Sequence, residues 1–158
     1  FCGDRTPSTS NSSTNNQGGT GTTTTYYGGY IRLVTNKQPT FECPDGDLYT
    51  TKGSEDGNKA LTYPIGLITA DEVAYAGGVD GQTNESYYLY TNSSYWTMSP
   101  YNFNATYSGA YVFYVWSGGS LVDTSVDNTR GVRPVINLKS SVQITGGDGS
   151  SGNPYVIS

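Results

Sequence analysis

The clearest patterning in the chain runs from Leu61 to Ala76. Tyr63-Pro64-Ile65-Gly66-Leu67-Ile68 is a short apolar run suited to a buried strand. Thr69-Ala70-Asp71-Glu72 then has the capping-box form, a hydroxyl at the N-cap and a carboxylate three positions on. A single short helix is expected over about 69–76. Asp71 and Glu72 complement its positive end, and Gly77-Gly78 supplies a left-handed stop. Two turns are too short to stand alone, so Val73 and Tyr75 or Ala76 are expected to pack on a sheet.

Elsewhere the pattern is that of strands. Ala110 to Trp116 alternates, with Ala110, Val112, Tyr114 and Trp116 on one face and Tyr111, Phe113 and Val115 on the other. Large apolar groups on both faces predict a central strand. Ser117-Gly118-Gly119-Ser120 reads as a hairpin turn, with Leu121 to Val126 as the returning strand. Gly131 to Leu138 is a further apolar strand, in which Pro134 removes one donor. Tyr26 to Val34 reads as the first strand, bulged at Gly28-Gly29. Phe41 to Thr51 is a weaker one, interrupted by Pro44-Asp45-Gly46 and followed by a polar turn from Lys52 to Lys59. The tail adds a Gly-rich turn and a last strand from Tyr155 to Ile157. Pro7 to Thr25 holds no aliphatic or aromatic residue and predicts a flexible polar loop. The expectation is one domain over 1–158, α+β but mostly β, with seven or eight strands.

Composition narrows the chemistry. The chain has 15 Tyr, 21 Gly, no His and a formal net charge of −5. Without imidazole, neither a Ser-His-Asp triad nor a Cys/His zinc site can be assembled. The acidic balance disfavours nucleic acid and anionic membrane surfaces as partners. No apolar run of membrane-spanning length occurs, so no direct membrane contact is expected in this chain. Pairing of Cys2 with Cys43 would close a loop of about 40 residues, worth about 4 kcal/mol on the chain-entropy model. Two free thiols are the other reading. The Lys-poor, uncharged-polar surface favours export, hence a disulfide and an extracellular or cell-surface location. The abrupt start at Phe1-Cys2 suggests the mature part of something longer.

Three blocks carry a resemblance. Gly66 to Val73, then Tyr95-Trp96-Thr97-Met98-Ser99-Pro100 followed by the hairpin from Ala110, and then Gly131-Val132-Arg133-Pro134 through Lys139 resemble a domain of uncharacterised function. That domain occurs in surface and secreted proteins of Gram-positive bacteria, sometimes behind a prepilin-type leader. The order of the blocks also resembles the C-type-lectin-like fold, implying a mixed antiparallel sheet. The fold is shared by formylglycine-generating-type domains and by the variable proteins of diversity-generating retroelements. The family's Trp-Leu-Arg-Ser-Pro pattern is Trp96-Thr97-Met98-Ser99-Pro100 here, and the calcium-site motifs of sugar-binding lectins are missing. Formylglycine chemistry would need a late cysteine pair, whereas both cysteines fall in the first 43 residues.

The candidate site is a Tyr- and Asn-rich surface, because tyrosine offers a rigid amphipathic face and amides adapt their hydrogen bonds. The residues chosen are Tyr87, Tyr88, Tyr90, Tyr95, Tyr101, Asn102, Asn104 and Tyr107, as those least needed for a core. The partner implied is a glycan or protein at the cell surface, bound without catalysis. The alternative is the exposed head of a pilin-like or pseudopilin filament, where like subunits are the partners. No cofactor is expected. Calcium is a secondary possibility through Asp45-Gly46-Asp47, Glu55-Asp56-Gly57-Asn58 and Asp80-Gly81, which serve equally as turns. Asp123, Asp127 and Glu85 lack the spacing of an acid-base pair. Arg133 is expected to pair with Asp71 or Glu72.

Overall fold

The structure, a computed structural model, describes residues 1–8, 24–43, 47–50, 53–54, 57–58, 61–150 and 152–158. Its organising element is an antiparallel four-stranded sheet in the order β1-β5-β6-β7, comprising Thr25–Tyr26, Tyr95–Asn104, Gly109–Val115 and Leu121–Ser125. β6 is central, as its two apolar faces predict. β5 changes pleat at irregularities between Trp96 and Pro100 and between Pro100 and Asn102. Tyr95, Thr97 and Ser99 therefore face inward before the bulge, and Asn102 after it. The β6–β7 turn is where Gly118-Gly119 places it. Gly119 has a φ of 81°, and a Cβ there would collide with the Asn84 carbonyl.

The inner face of this sheet carries the core. Phe113, Val115 and Leu121 meet Ala70 and Val73 of the helix α2, Ala70–Ala76. That helix forms as its capping box dictates: Glu72 N–H donates to Thr69 Oγ1 and Thr69 N–H to Glu72 Oε2. Gly77, at a φ of 118°, ends it. Thr97 and Ser99 are buried hydroxyls with assigned work. Ser99 Oγ accepts from the otherwise orphaned N–H of Ala70, and Thr97 donates to the Phe113 carbonyl. Val73 packs inward, whereas Tyr75 turns outward, stacks on Phe41 at 4.1 Å and donates to the Pro39 carbonyl.

Several expectations are corrected. Tyr26–Val34 is not one strand: after β1 the chain forms a helical turn, α1 (Gly28–Tyr30), which widens into a π-helical segment, Ile31–Asn36. Among the described residues there are thus two helical segments rather than one. The physical reason is tertiary, because Arg32 must reach two buried carboxylates. Gly28 and Gly29 permit the approach, since a Cβ on them would lie 2.8 Å from the Arg32 guanidinium and from Asp4 Oδ2 respectively. Phe41 to Cys43 is irregular and Leu48 only bridges Cys2. Within the expected polar turn, Gly53–Ser54 (β2) and Gly57–Asn58 (β3) pair as a minimal hairpin.

The run Tyr63–Ile68 yields only β4 (Ile65–Leu67), paired with β8 (Pro134–Ile136). β4 is not buried as its sequence suggested: a two-stranded ribbon leaves one face open, and Ile65 is exposed, as are Val132, Ile136 and Leu138 in and around β8. Ile144–Gly146 (β9) and Val156–Ile157 (β10) form a second exposed ribbon. Most of the expected loop 7–25 lies outside the described residues. At its ends Pro7 bridges Tyr27, and Thr25 is fully buried in β1. Cys2 and Cys43 form a disulfide.

Candidate functional site

The tyrosines and asparagines picked out by sequence do not form one surface. Tyr87 and Tyr95 are buried in the core, a correction to their choice as residues it could spare. Tyr95 donates to the Leu89 carbonyl, while the Tyr87 hydroxyl has no partner in hydrogen-bonding geometry although Tyr95 lies close by. Burial, with Tyr95 next in effect, pushes the Tyr87 phenol up to about 12. Asn102 is also buried, its Oδ1 unpartnered. Asn104 Oδ1 accepts from the Thr106 and Tyr107 N–H groups and so shapes the β5–β6 turn. Tyr90 and Tyr101 pack partly against the core. Tyr101 sits edge-on to Tyr30 and Phe113, and burial, then the nearby Asp123 carboxylate, raises its phenol. Only Tyr88 and Tyr107, 83% and 75% exposed, are openly displayed, and they belong to separate loops.

What does assemble is an aromatic cleft on the outer face of the sheet. The pleat that turns Tyr95 and Thr97 inward turns Trp96 outward, opposite Tyr114 on β6, and the two rings meet edge-on at 6.1 Å. Trp116 follows two residues later at the end of the same strand. Its indole packs against Gly118, where a Cβ would come within 2.6 Å or less of the ring. Trp116 is 46% exposed.

The third wall is the returning chain. Gly131 N–H donates to the Ser94 carbonyl and Trp96 N–H to the Gly131 carbonyl. A side chain at Gly131 would press on that same Ser94 carbonyl, at 2.9 Å, so glycine allows the approach. This docking lays the Arg130 guanidinium over the Tyr114 ring at 4.8 Å. Ser94, Tyr114, Trp116, Thr129, Arg130 and Gly131 line a shallow, open cleft of about 540 Å³, in which Tyr114 is nearly buried. Sequence reasoning placed Tyr114 and Trp116 on a strand face and did not weigh Arg130. The available signal was two aromatics at period two beside a glycine that could seat an arginine.

A second polar constellation lies on the inner side. Arg32 donates from Nε and Nη2 to the two Asp71 oxygens at 3.0 and 2.7 Å, and from Nη2 to Asp4 at 2.7 Å. Thr40 N–H completes Asp71. Burial works against the Arg32 charge, but the bonds from Asp71 and Asp4 outweigh it and hold its pKa above the ordinary value. Burial also raises Asp4, more than Arg32 lowers it. Asp71 therefore serves Arg32. Arg133 does not pair with Asp71 or Glu72 as expected; it donates to the Leu89 carbonyl and lies over the Tyr95 ring. Every carboxylate of this inner group is engaged by a cation or a hydrogen bond, which makes it a structural lock.

Of the calcium candidates, Asp45, Glu55 and Asp56 lie outside the described residues. Asp47 accepts from Thr6, and Asp80 pairs with Lys37 at 3.7 Å. Among the described residues no cluster of metal-ligating side chains occurs.

A family model described as a domain of unknown function, DUF6273, matches residues 49–140, a span that holds every wall of the cleft. Neither a curated protein nor a solved structure matches the chain.

Proposed function

The chain belongs to the DUF6273 family, and from the cleft that this family's span encloses we propose that it is a non-catalytic ligand-binding domain of adhesin type. It recognises a glycan or protein at a bacterial cell surface, on a C-type-lectin-like scaffold. The observation that carries this reading is the exposed indole of Trp116 in a cleft floored by the buried Tyr114 ring, with Arg130 beside it. Flat aromatic faces stack on sugar rings or apolar side chains, and the hydroxyls at the rim fix orientation. The disulfide is compatible with an exported protein, which is where such a surface would work.

A glycan array followed by calorimetry on the 158-residue chain tests it. Binding to at least one ligand is expected, weakened about tenfold or more by Trp116→Ala with the melting temperature retained. A detected ligand whose affinity ignores that substitution removes the cleft from consideration.

The exposed apolar ribbons favour a second reading, the head of a pilin-like filament in which Ile65, Ile136, Ile144 and Val156 meet like subunits. Gene sequence upstream of Phe1 encoding a prepilin cleavage site and about 20 apolar residues would support it.

A further inference from the structure

The charged wall of the cleft narrows its ligand, an inference that rests on the cleft being the binding site. Arg130 Nη1 donates to the Thr129 carbonyl at 2.7 Å. No carboxylate pairs with Arg130 among the described residues, unlike Arg32, which holds two. Its Nε–Nη2 edge, the edge that matches a carboxylate with two parallel bonds, is therefore uncommitted. It is held in place by the Thr129 bond and by the Tyr114 ring beneath it. The partly exposed indole of Trp116, which packs against Gly118, lines the same cleft. Ser94 Oγ accepts from Ser117 N–H and keeps its own proton to donate.

We infer that the cleft takes a carboxylate-bearing sugar. Trp116 covers the C–H face of the ring, Arg130 pairs with the carboxylate, and the Ser94 and Thr129 hydroxyls read ring hydroxyls. A neutral sugar would leave the fixed guanidinium without a partner. An acidic peptide presents its charge on a flexible stem with no flat ring to meet the indole. A polyanion is opposed by the chain's net charge of −5, whereas one carboxylate needs only one arginine.

The test uses the whole chain and four saccharides in two pairs, methyl galacturonoside with its methyl ester and sialyllactose with lactose, each acidic member carrying one carboxylate. A capped glutamate-glycine peptide is the competitor. At least one acidic probe is expected to bind about tenfold more tightly than its neutral partner at low salt. Arg130→Gln should collapse that preference to less than about threefold, Arg130→Lys should keep part of it, and Trp116→Ala should weaken both members of the pair. Melting curves confirm that each variant is folded, and the Lys variant retains the charge if Gln disturbs Tyr114.

Equal binding of acidic and neutral partners, lost only in Trp116→Ala, overturns the charged-sugar inference and leaves the binding cleft standing. Failure of all four saccharides to bind, or binding indifferent to Trp116, overturns the inference as well. Cleft and inference are then told apart by whether any array ligand responds to Trp116→Ala. Displacement by the peptide as effective as by the acidic sugar would make the occupant a protein.

Discussion

Arg32 stands between Asp4 and Asp71, both almost fully buried, and its contribution is better judged from its removal than from its presence. A buried ion pair adds little net stability, yet deleting one partner strands the other charge at about 3–5 kcal/mol. Arg32→Ala should therefore cost about that much at pH 7 in urea titrations. The deficit relative to wild type should shrink toward pH 4. Without its cation the Asp4 carboxyl stands above its unfolded pKa, so its stability contribution is present at low pH and lost as pH rises. Asp4 leans the same way even with Arg32 in place, because burial raises it. Tyr87 makes the opposite point. Its hydroxyl is buried without a partner, so Tyr87→Phe should be neutral or stabilise by up to about 1 kcal/mol. Because the phenol stands at about 12 against about 10 unfolded, its contribution is present below pH 10 and is lost as pH rises through 12. The advantage of the Phe variant should accordingly widen in alkaline melts. Neither Arg32's partners nor the Tyr87 environment is visible in local sequence, since Asp4 and Asp71 lie on different elements.

Elements divide by whether their cause is local. α2 is legible because Thr69, Glu72 and Gly77 set its limits within one stretch of chain. Thr69→Ala should destabilise by about 1 kcal/mol in thermal melts, and Thr69→Ser should recover most of that. A loss well below this would mean that Ser99, which takes the Ala70 N–H, does most of the capping. The hairpin from β6 to β7 is legible for the same reason. The segment Gly28–Asn36 is not: YYGGYIRLV has the composition of a strand, and the contact that coils it comes from carboxylates supplied by other parts of the chain. β4 and β8 show a third case. Their apolar runs do pair, but the runs say nothing of whether a further layer covers the ribbon, and none of Tyr63, Ile65 or Ile136 is covered.

Across the whole molecule, one sheet separates a locked inner side from an open outer one. The Cys2–Cys43 bridge fastens the N-terminal segment on the inner side, where it lines a cavity of about 210 Å³ with Arg32 and Asp71. A Cys2→Ser/Cys43→Ser variant should lose about 4 kcal/mol by the chain-entropy model, read in denaturant titrations. In conditions where it remains folded it should bind cleft ligands as wild type does, since Trp116 and Arg130 belong to the other face; a matched loss of binding would tie the two sides together. The eight candidate residues show how far a site can be read without coordinates. Aromatic richness near β5 and β6 is a property of residue type, but which rings face outward depends on the bulge at Pro100 and on what covers each face. By itself the sequence determined the mostly β class, the capped helix, the glycine turn and the absence of imidazole chemistry, because each depends on residue type or on neighbours a few positions apart. Only the tertiary structure decided the coil at Arg32, the burial of Tyr87 and Tyr95, and the meeting of Arg130 with Tyr114. Those depend on pairings between distant segments, whose free energy exceeds local preference and leaves no local trace.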